Sequence, residues 1–130
     1  MNLTSKITAV PTFTATIYAG FRVGRTAKPP EHVYTLTDAE AIIQKYVNEN
    51  PSCVSVTPML FAYTGGAEAG VAVGFINYPR FPSTRAEIKV KAMALANLLR
   101  TGLEQMVVSI VFSDATVMLS EESSVAAPAA

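Results

Sequence analysis

The sequence predicts an α+β fold: a single domain in which a mixed or antiparallel sheet carries two helices packed on it. Three observations predict it. Two Thr-x-x-Glu tetrads, Thr37–Glu40 and Thr84–Glu87, each open a run with helical spacing. Apolar runs of strand length fill the remaining chain. The order reads β-α-β-β-α-β-β, and one sheet covered by two helices is its simplest packing. A ferredoxin-like arrangement is one solution, and the strand order stays open.

The elements follow in order. Residues 1–12 are polar and mixed, and read as a loose N-terminal arm. Residues 13–23 form the first strand, with Thr14, Thr16 and Tyr18 alternating against Ala15, Ile17 and Ala19. Residues 25–36 hold Pro29-Pro30 and read as a loop. Thr37 caps the first helix, Ile42, Ile43, Tyr46 and Val47 give its apolar face, and Asn50-Pro51 ends it. Residues 53–63 and 71–78 are two strands of an antiparallel hairpin turned at Gly65-Gly66. Thr84 caps the second helix, which buries Ile88, Ala92, Leu95, Ala96 and Leu99 and stops at Gly102 as a C′ residue. Residues 107–112 and 115–119 are the last strands, joined at Ser113-Asp114. Residues 121–130, EESSVAAPAA, read as a disordered tail, which leaves 13–120 as the single domain.

Composition narrows the function. The chain has 130 residues, ten Lys plus Arg, ten Asp plus Glu, and a formal net charge of zero. A coat for nucleic-acid polymers shows as a basic excess, and there is none. Charged residues are 15% of the chain against an average of about 25%, which points to surface shared with another copy and so to a homo-oligomer. One cysteine excludes an internal disulfide, and one cysteine with one histidine makes no Cys/His metal site. No apolar run reaches the length of a membrane span or a signal peptide, so a cytoplasmic protein is expected.

Catalytic sets are hard to find. His32 sits in the proline-rich loop, and Asp38 and Asp114 occupy cap and turn positions. Gly65, Gly66 and Gly70 lack the context of a phosphate loop. Cys53 opens an apolar strand with nothing basic adjacent and reads as a buried, inert thiol. No metal and no cofactor is implied, and the expectation is a protein that is not an enzyme.

Binding chemistry is better represented. Gly74–Lys91 reads GFINYPRFPSTRAEIKVK and interleaves Asn77, Tyr78, Arg80, Phe81, Arg85, Lys89 and Lys91 at a strand end and a helix start. Such a place gathers backbone N–H groups and the positive end of the helix dipole. Arginine can clamp a phosphate, and an aromatic ring can stack on a base. Arg85 and Lys89, four apart, share one helix flank, while Lys91 lies away from the Ile88 stripe. A second cluster, Tyr18 to Arg25, brings Tyr18, Phe21 and Arg22 between glycines. The plain alternative makes Phe81 a core plug, Gly20 a bulge and the cations solvated. The binding alternative joins the clusters into one pocket for an anionic aromatic ligand, such as a nucleotide.

At these residues the chain resembles the phage Thoeris anti-defence proteins of the first type. The resemblance rests on IYAGFR (residues 17–22), CVSVTP (53–58), VGFINYPRFP (73–82) and VSIVFSDATVMLS (108–120), and spans 16–120. It implies a small α/β protein of the host bacterial cytoplasm that sequesters cyclic ADP-ribose isomers without cleaving them. Its ligand would be held by stacking and basic contacts between subunits of a homo-oligomer, a hexamer in some members, which also hold cyclic oligonucleotides in separate sites. The stacking aromatic would be Phe81, with polar contacts from Arg80 and the following helix, including Lys91. Two other readings stand beside it: a small enzyme that cleaves cyclic nucleotides, and a protein-interaction module without chemistry.

Overall fold

The computed structural model describes residues 4–23 and 32–121. Seven elements follow one another: β1 (Thr14–Gly20), α1 (Leu36–Glu49), β2 (Val54–Tyr63), β3 (Gly66–Ile76), α2 (Arg85–Gly102), β4 (Val107–Phe112) and β5 (Thr116–Ser120). They form one domain with a five-stranded sheet in the order β2-β3-β1-β4-β5. Every pairing is antiparallel, which removes the mixed alternative. The β2-β3-β1-β4 portion has the ferredoxin-like order, with β5 added beside β4.

Both helices cover one face of the sheet. Ala15, Ile17 and Ala19 of β1 point to that face and are at most 1% exposed, while Thr14, Thr16 and Tyr18 face the other way. Val71, Val73 and Phe75 of β3 and Val108, Ile110 and Phe112 of β4 line up beside them in the same register. The predicted stripe of α2, Ile88 through Leu99, packs down on this layer. Burying a side chain such as Leu95 or Ile17 contributes roughly 1.5–3 kcal/mol.

Element ends differ from expectation in instructive ways. The α2 box is Thr84 with Glu87, as the sequence indicates. The α1 box is shifted by two residues: Thr35 is the N-cap, and its hydroxyl accepts from Asp38 N–H while Asp38 accepts from Thr35 N–H. A short carboxylate serves as well as glutamate at the third position, so two overlapping tetrads compete, and Thr35 wins. At the other end of α2, Gly102 is the last helical residue rather than C′, and the left-handed conformation falls on Glu104 (φ 50°). β3 starts five residues earlier than expected, at Gly66, because alanine and glycine between 66 and 70 still find full partners in β2. The hairpin is therefore tight, turning through Thr64 and Gly65 with Gly65 at φ 86°. β2 is an edge strand, which accommodates Pro58.

Candidate functional site

A cavity of about 560 Å³ opens between the C-terminal end of α1 and the first turns of α2. Its walls include Val47 and Cys53 on one side and Tyr78, Phe81, Ile88 and Lys91 on the other. The turn that shapes it is local: Phe81 N–H donates to the Tyr78 carbonyl at 3.0 Å. Phe81 is 65% exposed at the rim, so it is no core plug, and the Arg80 guanidinium lies 5.5 Å from its ring centroid. Lys91 turns inward beside Ile88, and its Nζ donates to the Pro51 carbonyl at 3.0 Å. Its long apolar stem lets the ammonium reach back over the cavity. Cys53 is exposed rather than buried, because it precedes the edge strand at the cavity wall. A hydrogen bond to the Cys53 side chain, then burial, holds the Tyr78 phenol above its ordinary value.

Two residues expected here have other duties. Asn77 is 8% exposed and fully engaged: Nδ2 donates to the Pro11 carbonyl at 2.9 Å and Oδ1 accepts from Ser83 N–H at 2.9 Å. It clamps the loop before α2 to the N-terminal segment. Arg85 lies on the opposite flank of α2 with Lys89, and both donate to Asp114.

The second predicted cluster is at the other end of the sheet. Register runs from Thr14↔Ile76 to Gly20↔Gly70, six residues or about 20 Å at strand rise. One chain therefore does not join the two clusters into one pocket. Gly24 and Arg25 lie outside the described residues. Phe21 is 4% exposed and belongs to the core. Tyr18 lies on the helix-free face, edge-on to Phe61 at 6.3 Å between ring centroids.

Around Arg22 the structure assembles groups that lie more than forty residues away in the sequence. Arg22 N–H donates to Glu68 Oε2 at 3.1 Å, and Arg22 Nη1 donates to Tyr63 Oη at 3.4 Å. The Glu68 carboxyl group lies over Gly20, where a Cβ would come within 2.9 Å of it. Phe61 lies over Gly70 in the same manner, at 2.3 Å from an added Cβ. The Glu68 carboxylate, on the Arg22 backbone N–H, and the Tyr63 phenol, on the Arg22 guanidinium, thus meet beside Gly20, whose missing Cβ leaves room for the carboxylate. The available signal was Glu68 itself, the lone charge in GAEAGVAVG. Among the described residues no three His, Cys, Asp or Glu side chains gather as metal ligands. No described helix is long and apolar enough to cross a membrane.

No family model and no curated protein matches the chain. Two solved structures share its fold. A phage SAM lyase in complex with S-methyl-5'-thioadenosine superposes with a TM-score of 0.66 over 92% of this chain and 97% of that one, at 16% identity. A phage SAM lyase in the apo state gives 0.59 over 85% and 90%, at 20% identity. At these identities the fold is what is shared. The finding corrects the expectation of a protein without catalysis. Proteins named as lyases carry this fold over 97% and 90% of their chains.

Proposed function

We propose that the protein binds an adenosine-bearing small molecule and acts on it as an S-adenosylmethionine lyase, in a phage setting. The observation that carries this reading is the fold, shared over nearly the whole length with a lyase that holds S-methyl-5'-thioadenosine. The chemistry fits what the chain contains. S-methyl-5'-thioadenosine is S-adenosylmethionine without its four-carbon amino-acid arm. An oxygen of the arm's own carboxylate attacks the carbon bound to sulfur and closes a five-membered lactone; the carbon–sulfur bond breaks, its electron pair goes to the sulfonium, and a neutral thioether departs. The departing sulfur needs no protonation, so the protein's task is to bind, orient and exclude water.

The Arg22–Tyr63–Glu68 cluster supplies the matching charges. The amino-acid arm ends in an ammonium and a carboxylate; Glu68 suits the first and Arg22 the second. The finer reading taken from the anti-defence resemblance, a cyclic ADP-ribose isomer as ligand, shares the adenosine group and is separated by experiment.

The protein is incubated with S-adenosylmethionine, and separately with cyclic ADP-ribose isomers, and products are followed by liquid chromatography with mass detection. S-methyl-5'-thioadenosine accumulating with time is the expected result, and Glu68→Gln should slow it by about a hundredfold. Intact S-adenosylmethionine beside a tightly held cyclic ADP-ribose isomer would sink the lyase and move the ligand to the cyclic nucleotide.

A further inference from the structure

Gln105 is one of two polar side chains buried among the described residues, and the lyase reading gives it no task. Asn77, the other, clamps the loop before α2. We propose, resting on that reading for the substrate, that Gln105 is a positioning residue: it acts through the backbone of Arg22 to hold the Arg22–Glu68 pair in place for the reaction. Burying an amide costs free energy unless its groups are bonded. Gln105 Nε2 donates to the Leu103 carbonyl at 2.8 Å and to the Arg22 carbonyl at 3.0 Å. Both partners accept only, so the NH2 end of the amide faces them and both of its hydrogens are used. The first bond stays within the turn after α2. The second crosses 83 residues of sequence and reaches the site.

Arg22 lies past the end of β1 and pairs with Val33 in an isolated bridge. The bonds of that bridge belong to its neighbours: Val23 N–H donates to the His32 carbonyl, and Tyr34 N–H to the Phe21 carbonyl. The backbone groups of Arg22 go to side chains instead, the N–H to Glu68 Oε2 at 3.1 Å and the carbonyl to Gln105. If this peptide segment turns, the guanidinium moves with it and the Glu68 carboxylate loses its bond. Gln105 has a firm base, because its own N–H donates to the Arg100 carbonyl at 2.8 Å and the Leu103 N–H to the Leu99 carbonyl at 2.9 Å. The end of α2 thus fixes, through one amide, a segment that has left the sheet. A misplacement of about 1 Å at a reacting centre can lower a rate about a hundredfold.

The test is Gln105→Met, which keeps the length of the side chain and removes both donors. Conversion of S-adenosylmethionine to S-methyl-5'-thioadenosine is followed in the parent, Gln105→Met, Glu68→Gln and the double variant, with circular dichroism giving the folded fraction of each. Gln105→Met should lower kcat about tenfold or more and leave KM within about threefold. Because Gln105 acts through the pair, the double variant should be within about twofold of Glu68→Gln, where independent effects would multiply. A second readout needs no substrate. In 15N-labelled protein the Arg22 amide proton should shift upfield in Gln105→Met, as in Glu68→Gln, and stay in place in Leu95→Ala, a destabilising change in the core. An unchanged kcat, or effects that multiply in the double variant, overturns the proposal. If the parent leaves S-adenosylmethionine intact, the lyase reading falls by itself and the Arg22 amide decides: a resonance that stays put in Gln105→Met overturns the positioning role, and an upfield shift sustains it for whichever ligand the pair holds. Should Gln105→Met not fold, Gln105→Asn, one methylene too short to reach both carbonyls, takes its place in every arm.

Discussion

Arg85 Nη1 donates to Asp114 Oδ2 at 3.0 Å and ties the first turn of α2 to the β4–β5 turn. Lys89 Nζ reaches the same oxygen at 3.2 Å from one turn further on. Two cations four residues apart close on one carboxylate, which is what their shared flank allows.

That brace makes stability depend on acid. Lys89 first, and Arg85 after it, hold the Asp114 carboxyl below its ordinary value of 3.8. A depressed carboxyl stabilises the fold above its unfolded pKa, and the contribution is lost as pH falls through the lower folded value. Melting temperature should therefore drop as pH falls below 3.8, and Asp114→Asn should flatten that part of the curve. An unchanged acid limb in the variant would mean that other carboxyls set it.

The alkaline side has its own group. Tyr34 Oη donates to Glu104 Oε2 at 2.5 Å, linking the segment before α1 to the one after α2. That bond, then burial, raises the phenol above its ordinary value of 10.0. The stabilisation is complete below 10.0 and disappears as pH rises through the raised folded pKa. Tyr34→Phe should lower stability at neutral pH and lose this alkaline dependence, read from denaturant midpoints across the range.

Leu95 is fully buried where α2 meets the sheet. Leu95→Ala should cost about 2–5 kcal/mol in urea unfolding, through lost burial and the hole left behind. A smaller loss would show that the helix settles into the space.

Gly70→Ala should destabilise by about 1–3 kcal/mol. An added Cβ meets the Phe61 ring at 2.3 Å and the Ala19 carbonyl oxygen at 2.4 Å. Phe61→Ala in the same chain should relieve only part of the loss, because the backbone oxygen cannot swing aside. Full rescue would place all the strain on the ring.

Phe81→Ala should leave unfolding within about 0.5 kcal/mol of the parent, since the ring is 65% exposed. A large loss would mean that the ring is covered in the folded protein in solution, by another copy or by the chain itself.

Much of the fold was legible because periodicity and capping are local. The alternation of β1 named its buried face correctly, and the Ile88–Leu99 stripe named that of α2. Thr35-x-x-Asp38 and Thr37-x-x-Glu40 are equally good caps in sequence, and the structure uses Thr35. The sites were harder to see. Proximity in sequence grouped Asn77 with Phe81, yet the Asn77 amide is bonded to Pro11 and Ser83 and does not line the cavity. Arg22 was visible, but its neighbours Tyr63 and Glu68 come from the far end of a hairpin whose register depends on where β3 begins. Lys91 follows Ile88 by three residues, which places it beside Ile88 at the edge of the buried stripe rather than away from it, and its four-carbon stem carries the ammonium to Pro51.

Pro58 leaves the sheet with two unlike borders. On β2 the ring deletes one N–H from the outermost strand, so a foreign strand cannot zip along its whole length. β5, the opposite border, reads TVMLS without proline or charge, and Met118 is 61% exposed on it. Aggregation by strand addition is thereby directed to one side of the molecule. Unwanted polymers of this protein would grow from β5, and a lysine at Met118 is the change that would discourage them.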